Sequence, residues 1–328
     1  MTDPNQVIAD LIQTDGGLCV FDKIYLPFPH KEHVPAAKFG LGVELFLPDI
    51  DRLKLRDQVK RFMVDYCQTF PGKVNQILPD NKEHLVSFSG NPTPYILEDF
   101  EEIPIEEGYG SLLQGKVNIG QKKDSIAPYK VQTLVKRPRE RELSFVNATF
   151  PVCSDADQPN FDNLLSSVLR WCAICQPAHG CAGFTFIFLS EQNSVYAMQM
   201  IKRFPGFDFQ NGGRFSLEAE TIHNRIKSVN WLTLLNDALV EELGGLDDMR
   251  STLEPVCKVH EYPGGVVIQA GAYPHVGDTY RNDVPEAYRL VANYTKPIRF
   301  ESYRSGLFRV PHNLDKGEET QAWLRRFD

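Results

Sequence analysis

The apolar run at residues 181–189 (CAGFTFIFL) constrains the fold of this 328-residue chain more than any other segment. It is about half as long as a membrane-spanning helix must be. A short, continuously apolar run is typical of a strand that is buried on both faces. We therefore expect a central strand here, together with half-buried strands at residues 18–28 and 39–47, where apolar and polar positions alternate.

Helical patterns are interleaved with these strands. Apolar residues recur at helical spacing in residues 51–70 and 163–175. Because strands and helices are intermixed without a regular βαβ period, we predict an α+β fold with mixed, largely antiparallel sheets and packed helices. We treat residues 1–328 as a single domain and leave open a division into an N-terminal lobe (1–142) and a C-terminal lobe (143–328).

The cysteines indicate the redox compartment. The chain has seven, an odd number, at positions 19, 67, 153, 172, 175, 181 and 257. Residues 1–10 contain Asp3 and Asp10 but no Lys or Arg, which is unlike the charged start of a secretory signal. We therefore predict reduced, buried thiols in a cytoplasmic protein.

A zinc site is the alternative role for some of these cysteines. Cys172, Cys175, His179 and Cys181 are all able to bind zinc and lie close together in the sequence. The first two fall on a predicted amphipathic helix and Cys181 begins an apolar strand, whereas structural zinc ligands usually lie on turns. We interpret these cysteines as small buried hydrophobic residues and predict no metal and no cofactor.

The charge pattern of residues 98–142 differs from the rest of the chain. An acidic run, residues 98–107, contains six carboxylates: Glu98, Asp99, Glu101, Glu102, Glu106 and Glu107. Residues 116–141 then hold eight basic residues. The two blocks either pair with each other, form a solvated face, or bind a partner. The net charge of −8 disfavours direct binding to nucleic acid and suits a basic partner.

Enzyme motifs are weak in this sequence. Asp49, Asp80 and Lys82 have the residue types of a metal-dependent nuclease site, in which two carboxylates hold the ion and a lysine orients water. However, residues 79–84 (PDNKEH) have turn composition. Residues 110–117 resemble a phosphate-binding loop except at Val117, which cannot supply the required hydroxyl. We therefore favour a binding protein over an enzyme and keep the nuclease as the alternative.

A series of short motifs follows in the C-terminal two-thirds of the chain. They are residues 178–183 (AHGCAG), 204–208 (FPGFD), 226–233 (IKSVNWLT), 243–245 (LGG), 265–271 (GVVIQAG) and 296–300 (KPIRF), with Pro274, Gly277, Asp278 and Tyr288 between the last two. In this order they resemble the type VI immunity family, bacterial proteins formerly grouped as a domain of unknown function.

The resemblance implies a cytoplasmic immunity protein that neutralises a toxin delivered by the type VI secretion apparatus. Similar members are paired with nuclease effectors of the virus-type replication-repair nuclease class, so the implied partner is a nuclease and not a membrane. We expect stoichiometric occlusion of its active or DNA-binding surface, and the acidic run is the predicted docking segment. The motif residues themselves are those of a scaffold: we expect Trp231 to anchor the core and Asn230 to bond to the backbone.

Overall fold

The computed structural model describes residues 17–28, 31–80, 82–115, 126–137, 143–188, 191–220 and 222–328. Within these residues, eleven strands form one sheet in the order β10-β11-β9-β8-β2-β7-β6-β5-β3-β4, with β1 paired to β2. Every neighbouring pair is antiparallel. The strands are β1 (Tyr25–Phe28), β2 (Lys31–Leu47), β3 (Gln76–Leu78), β4 (Val86–Ser87), β5 (Tyr109–Gln114), β6 (Lys130–Val135), β7 (Ser144–Phe150), β8 (His179–Phe188), β9 (Leu232–Asn236), β10 (Cys257–Tyr262) and β11 (Gly265–Ala270).

The long strand β2 lies at the centre of the sheet. Its Val43 pairs with Ala148 of β7 on one side and with Ala182 of β8 on the other. All ten residues of β8 are buried, as expected for a strand with neighbours on both edges and side chains packed on both faces. The predicted central strand and the α+β class are therefore confirmed.

Helices cover both faces of this sheet. They are α1 (Arg52–Thr69), α2 (Thr93–Glu102), α3 (Phe161–Cys175), α4 (Met198–Arg203), α5 (Gly212–Ala219), α6 (Asp237–Glu242), α7 (Leu246–Leu253), α8 (Glu286–Thr295) and α9 (Lys316–Leu324). None of the described helices is both long enough and apolar enough to cross a membrane.

The aromatic contacts of β7 show how the two faces are covered. Phe145 and Phe150 point to opposite faces because side chains alternate along a strand. The Phe150 ring lies 4.7 Å from that of Phe70 at the end of α1, whereas the Phe145 ring lies directly against Gly212 of α5. Burial on both faces explains why β7 has no exposed residue.

The segment predicted as a strand at residues 18–28 is a strand only in its last part. Residues Gly17–Lys23 form a 3-10 helix, and β1 begins at Tyr25. The carboxylate of Asp22 fixes this helix because it accepts hydrogen bonds from the backbone N–H groups of Val152 (2.7 Å) and Cys153 (2.8 Å).

The prediction that all thiols are reduced is wrong for two of the seven cysteines. Cys19 and Cys153 form a disulfide that joins the N-terminal 3-10 helix to the segment after β7. The two residues are 134 positions apart, so their proximity depends on the tertiary fold and leaves no trace in local sequence. The other five cysteines are free and buried, as predicted.

Candidate functional site

The acidic run occupies α2 and the turn that follows it. Five of its six carboxylates belong to exposed residues: Glu98, Glu101, Glu102, Glu106 and Glu107. Helix α2 packs beside α1 near the β3–β4 end of the sheet, and its buried positions Ile96 and Phe100 face inward. The exposed carboxylates consequently form one acidic surface on this edge of the molecule.

Asp99 does not belong to that surface, which corrects its prediction as a docking residue. It is buried, and its carboxylate accepts hydrogen bonds from the Tyr109 hydroxyl (2.9 Å) and the Asp80 backbone N–H (3.2 Å). Burial raises the pKa of Asp99 above its usual value. Asp99 therefore fixes α2 against β5 and the loop after β3.

Arg56 of α1 holds the turn after α2. Its guanidinium donates to the carbonyl oxygens of Ile103 (2.6 Å), Glu107 (3.1 Å) and Pro104. Three bonds from one planar group to three carbonyls restrict the backbone of this turn. The acidic surface is thus presented on a defined loop conformation before any partner arrives.

An ion pair between described residues joins the acidic run to the basic block. Glu107 pairs with Arg137 at 3.1 Å. Glu98, Glu101 and Glu106 form no ion pair with any residue that the structure describes. Much of the basic block lies outside the described residues: Lys116, Lys122, Lys123, Arg139 and Arg141.

A second group of charged side chains lies in the core against one face of the paired strands β2 and β8. This buried cluster consists of Glu44, Cys181, Asp208 and Lys227, all at most 3% exposed. The Lys227 ammonium donates to a Glu44 oxygen and to the Phe209 carbonyl (2.6 Å), and it lies 3.6 Å from Asp208. The Cys181 thiol donates a hydrogen bond to the same Asp208 carboxylate oxygen, at 2.9 Å.

The pKa values of the two carboxylates in the buried cluster are shifted in opposite directions. Burial raises the pKa of Glu44 to about 7. Burial alone would also raise the pKa of Asp208, but the Lys227 ammonium lowers it below its usual value. One oxygen of Glu44 is buried without a hydrogen-bond partner, which agrees with the weaker ionisation of this carboxyl.

The buried cluster also contains the one group of three potential metal ligands among the described residues, Glu44, Cys181 and Asp208. The Lys227 ammonium already supplies a positive charge between the two carboxylates. We conclude that this donor set does not fit a metal, because a cation there would be placed against the buried lysine.

The zinc ligands considered from the sequence are not brought together. Cys172 and Cys175 are buried on α3, while Cys181 joins Glu44 and Asp208. His179 is buried against the rings of Phe46 and Phe215, and burial lowers its pKa to about 3. The histidine is therefore neutral and packed among aromatic side chains.

The three residues of the nuclease alternative have other surroundings. Asp80 accepts a hydrogen bond from the Gly110 backbone N–H at 2.7 Å, so its carboxylate joins the loop after β3 to strand β5. Lys82 is exposed in a turn, where its backbone N–H donates to the Pro79 carbonyl. Asp49 is exposed just after the end of β2. Residues 110–114 of the segment that resembles a phosphate-binding loop belong to strand β5 and not to a loop.

The motif residues form scaffold, as expected. Trp231 is 1% exposed and donates its ring N–H to the Gly271 carbonyl at 3.1 Å. The Asn230 amide accepts from the Trp231 backbone N–H (2.7 Å) and donates to the Phe184 carbonyl (3.3 Å). A Cβ atom at Gly183 would overlap this amide, which explains the glycine.

Sequence reasoning missed the roles of two cations, Arg56 beside the acidic run and Lys227 in the buried cluster. Arg56 gives no local signal, because its partners are backbone carbonyls on a different element. Glu44 gives only a misleading one: alternation at residues 39–47 predicts a half-buried strand with Glu44 on its polar face, whereas the structure buries all of these residues, so the carboxylate needs a buried partner. The identity of that partner, 183 positions away, was not accessible from the pattern.

Comparisons with known proteins support the family resemblance of the sequence motifs and the fold. Residues 100–327 match the family described as type VI immunity for VRR-NUC. No curated protein sequence matches the chain significantly. Among solved structures, the Pseudomonas aeruginosa T6SS protein PA0821 is similar, with a TM-score of 0.78 and 21% identity over 99% of this chain and 92% of that chain. At this identity the likeness shows a shared fold. With more than half of its length matched, the chain belongs to the family of type VI immunity proteins for VRR-NUC.

Proposed function

We propose that this protein binds a cognate type VI effector, a nuclease of the VRR-NUC class, and neutralises it by stoichiometric occlusion of its active or DNA-binding surface. The observation that carries the proposal is the family match over residues 100–327, which includes most of the acidic run. Inhibition of this kind needs a complementary surface and no catalytic group.

The acidic run is the docking segment that we propose, through its exposed carboxylates Glu98, Glu101, Glu102, Glu106 and Glu107. A nuclease presents Lys and Arg side chains to phosphates, and carboxylates compete for the same side chains. The net charge of −8 adds long-range attraction to a basic partner, which accelerates association. Neither a metal, a cofactor, a membrane nor direct contact with nucleic acid is required.

We place this function in the cytoplasm, where a nuclease effector meets DNA. The disulfide between Cys19 and Cys153 makes that placement testable, because cytoplasmic thiols are normally kept reduced. Alkylation of free thiols in intact cells, followed by mass spectrometry, reports the state of this pair. A pair that is fully oxidised in cells would place the protein in an oxidising compartment instead.

The function is tested by measuring association with a catalytically inactivated effector as salt is varied. We expect the variant with Glu101, Glu102, Glu106 and Glu107 changed to Lys to associate about tenfold more slowly, with a weaker salt dependence. The charge-matched control changes four exposed acids near the opposite edge of the sheet to Lys: Glu241, Asp247, Glu254 and Glu286.

Equal effects of both variants would show that only net charge matters and that docking lies elsewhere. A wild-type protein that neither binds nor protects would overturn the function. Hydrolysis of DNA by the purified protein with magnesium, lost on Asp80→Asn, would establish the nuclease alternative.

A further inference from the structure

We infer that a groove between α1 and α2, beside the acidic run, receives an apolar side chain from a basic segment of the nuclease effector. This inference rests on the proposed function and adds to it the chemistry of the contact. The acidic surface alone would attract any basic protein, whereas an apolar anchor next to it selects one.

The groove is a cavity of about 310 Å³ that is lined by five apolar and four charged residues. Phe100, Ile103 and Ile105 line it from α2 and the following turn, and Leu53 and Leu97 line it from α1 and α2. Leu53 is 69% exposed and Leu97 is 37% exposed. Single exposed leucines are common on proteins, but two that share a cavity with three further apolar residues form a surface suited to burial by a partner.

The cations that line this groove are already engaged. Arg56 bonds to backbone carbonyls of the turn, and Lys60 pairs with Asp57 at 3.3 Å. Glu101 also lines the groove, is exposed, and has no ion-pair partner among the described residues. Asp57 and Glu101 balance the charges of the two cations that line the groove. The attraction for a basic segment therefore comes from the exposed carboxylates of the acidic run beside it, such as Glu98 and Glu106.

An apolar centre with an acidic margin defines the occupant. Interfaces of this kind place an apolar or aromatic anchor at the centre and charged groups at the rim. The matching segment carries Leu, Phe, Tyr or Trp next to Lys or Arg. Residues that bind phosphate on a nuclease provide the cations, so the segment borders the DNA-binding surface of the effector.

The kinetics of binding separate the groove from the acidic surface. We expect Leu53→Ser and Leu97→Ser each to increase the dissociation rate of the effector complex about tenfold, with association rate and salt dependence unchanged. Charge reversal of the acidic surface should instead lower the association rate and weaken its salt dependence, with the dissociation rate unchanged. The matched control is Leu217→Ser, an exposed leucine (44%) on α5, which should leave both rates unchanged.

The melting temperature of each variant is measured first, and it should not change because these leucines are exposed. If wild type binds the effector and both groove variants bind with unchanged rates, the groove inference is wrong and the proposed function stands. If wild type does not bind, the proposed function itself fails. If wild type alone dimerises and Leu53→Ser abolishes the dimer, the occupant is a second copy of this chain and the inference is overturned.

Discussion

The buried cluster and the acidic run both contain several carboxylates, but these carboxylates differ in whether the fold supplies a cation to pair with them. In the core, Lys227 contacts both Glu44 and Asp208, so the charges are largely neutralised within the fold. On the surface, Glu98, Glu101 and Glu106 have no ion pair among the described residues. This difference indicates where a partner binds. Carboxylates that are paired with a cation inside the fold stabilise the fold, whereas exposed carboxylates without an ion pair are available to another molecule.

Removal of the central cation is the strongest way to break this comparison. Lys227→Met removes the ammonium that contacts both buried carboxylates, and we expect a loss of about 3 to 5 kcal/mol in the free energy of unfolding. Urea unfolding monitored by tryptophan fluorescence measures it. The triple variant with Glu44→Gln and Asp208→Asn added should recover most of the loss. A stable single variant would show that the cluster is not held by charge neutralisation.

Trp231→Ala tests whether the motif residues on the buried side are scaffold alone. Truncation of this fully buried aromatic should cost about 3 to 5 kcal/mol. Protection from the effector should fall only in proportion to the unfolded fraction, measured by thermal melting and by effector binding on the same sample. Unchanged stability with lost binding would show that Trp231 is an interface residue. The partner would then contact the buried motif residues as well as the acidic run.

The disulfide gives a third test, on the buried side. Replacing Cys19 and Cys153 together by Ser should lower the free energy of unfolding by about 2 to 4 kcal/mol, because the unfolded chain regains the freedom of a long loop. The affinity of the folded variant for the effector should stay the same. An equal loss of stability in Cys67→Ser, which removes a free thiol, would indicate a general packing effect.

The pH dependence of stability sharpens the comparison further. Because burial raises the pKa of Glu44 to about 7 in the folded state, the folded protein holds this proton more tightly than the unfolded chain. The resulting stability is fully present below the ordinary pKa of 4.5 and is lost as the pH rises through 7. Relative to Glu44→Gln, wild type should lose about 1 to 3 kcal/mol between about pH 5 and about pH 8.

Asp208 does not enter that range, since its lowered pKa confines its titration to more acidic conditions. Denaturant unfolding at a series of pH values measures the difference between wild type and Glu44→Gln. Parallel curves for the two proteins would show that Glu44 is ionised throughout.

The smallest expected effect on stability is on the exposed side. Glu101→Lys with Glu106→Lys should change the free energy of unfolding by less than about 0.5 kcal/mol, since neither side chain is buried or ion-paired within the described residues. Calorimetry checks this value. A large loss would mean that the acidic run has a structural role that the contacts do not show.

The sequence indicated most of the architecture but only part of the candidate site. The central strand β8 follows from a short apolar run and helices α1 and α3 follow from helical periodicity, and both signals depend on neighbours a few positions apart. The acidic run is a compositional signal, although burial of Asp99 depends on Tyr109 and could not be seen in it. Glu44 meets Lys227, and Cys19 meets Cys153, only because distant segments meet in the sheet.

The position of β2 also limits which fragments of the chain can fold. This strand spans Lys31–Leu47, but its neighbours β7 (Ser144–Phe150) and β8 (His179–Phe188) come from much later in the chain. Without them, residues 39–47 of β2 have no strand partner on either edge, because β1 pairs with β2 only as far as Lys38. An open strand edge of this kind favours pairing with other chains. We therefore expect a fragment that ends before β7 to aggregate instead of folding, which light scattering would measure.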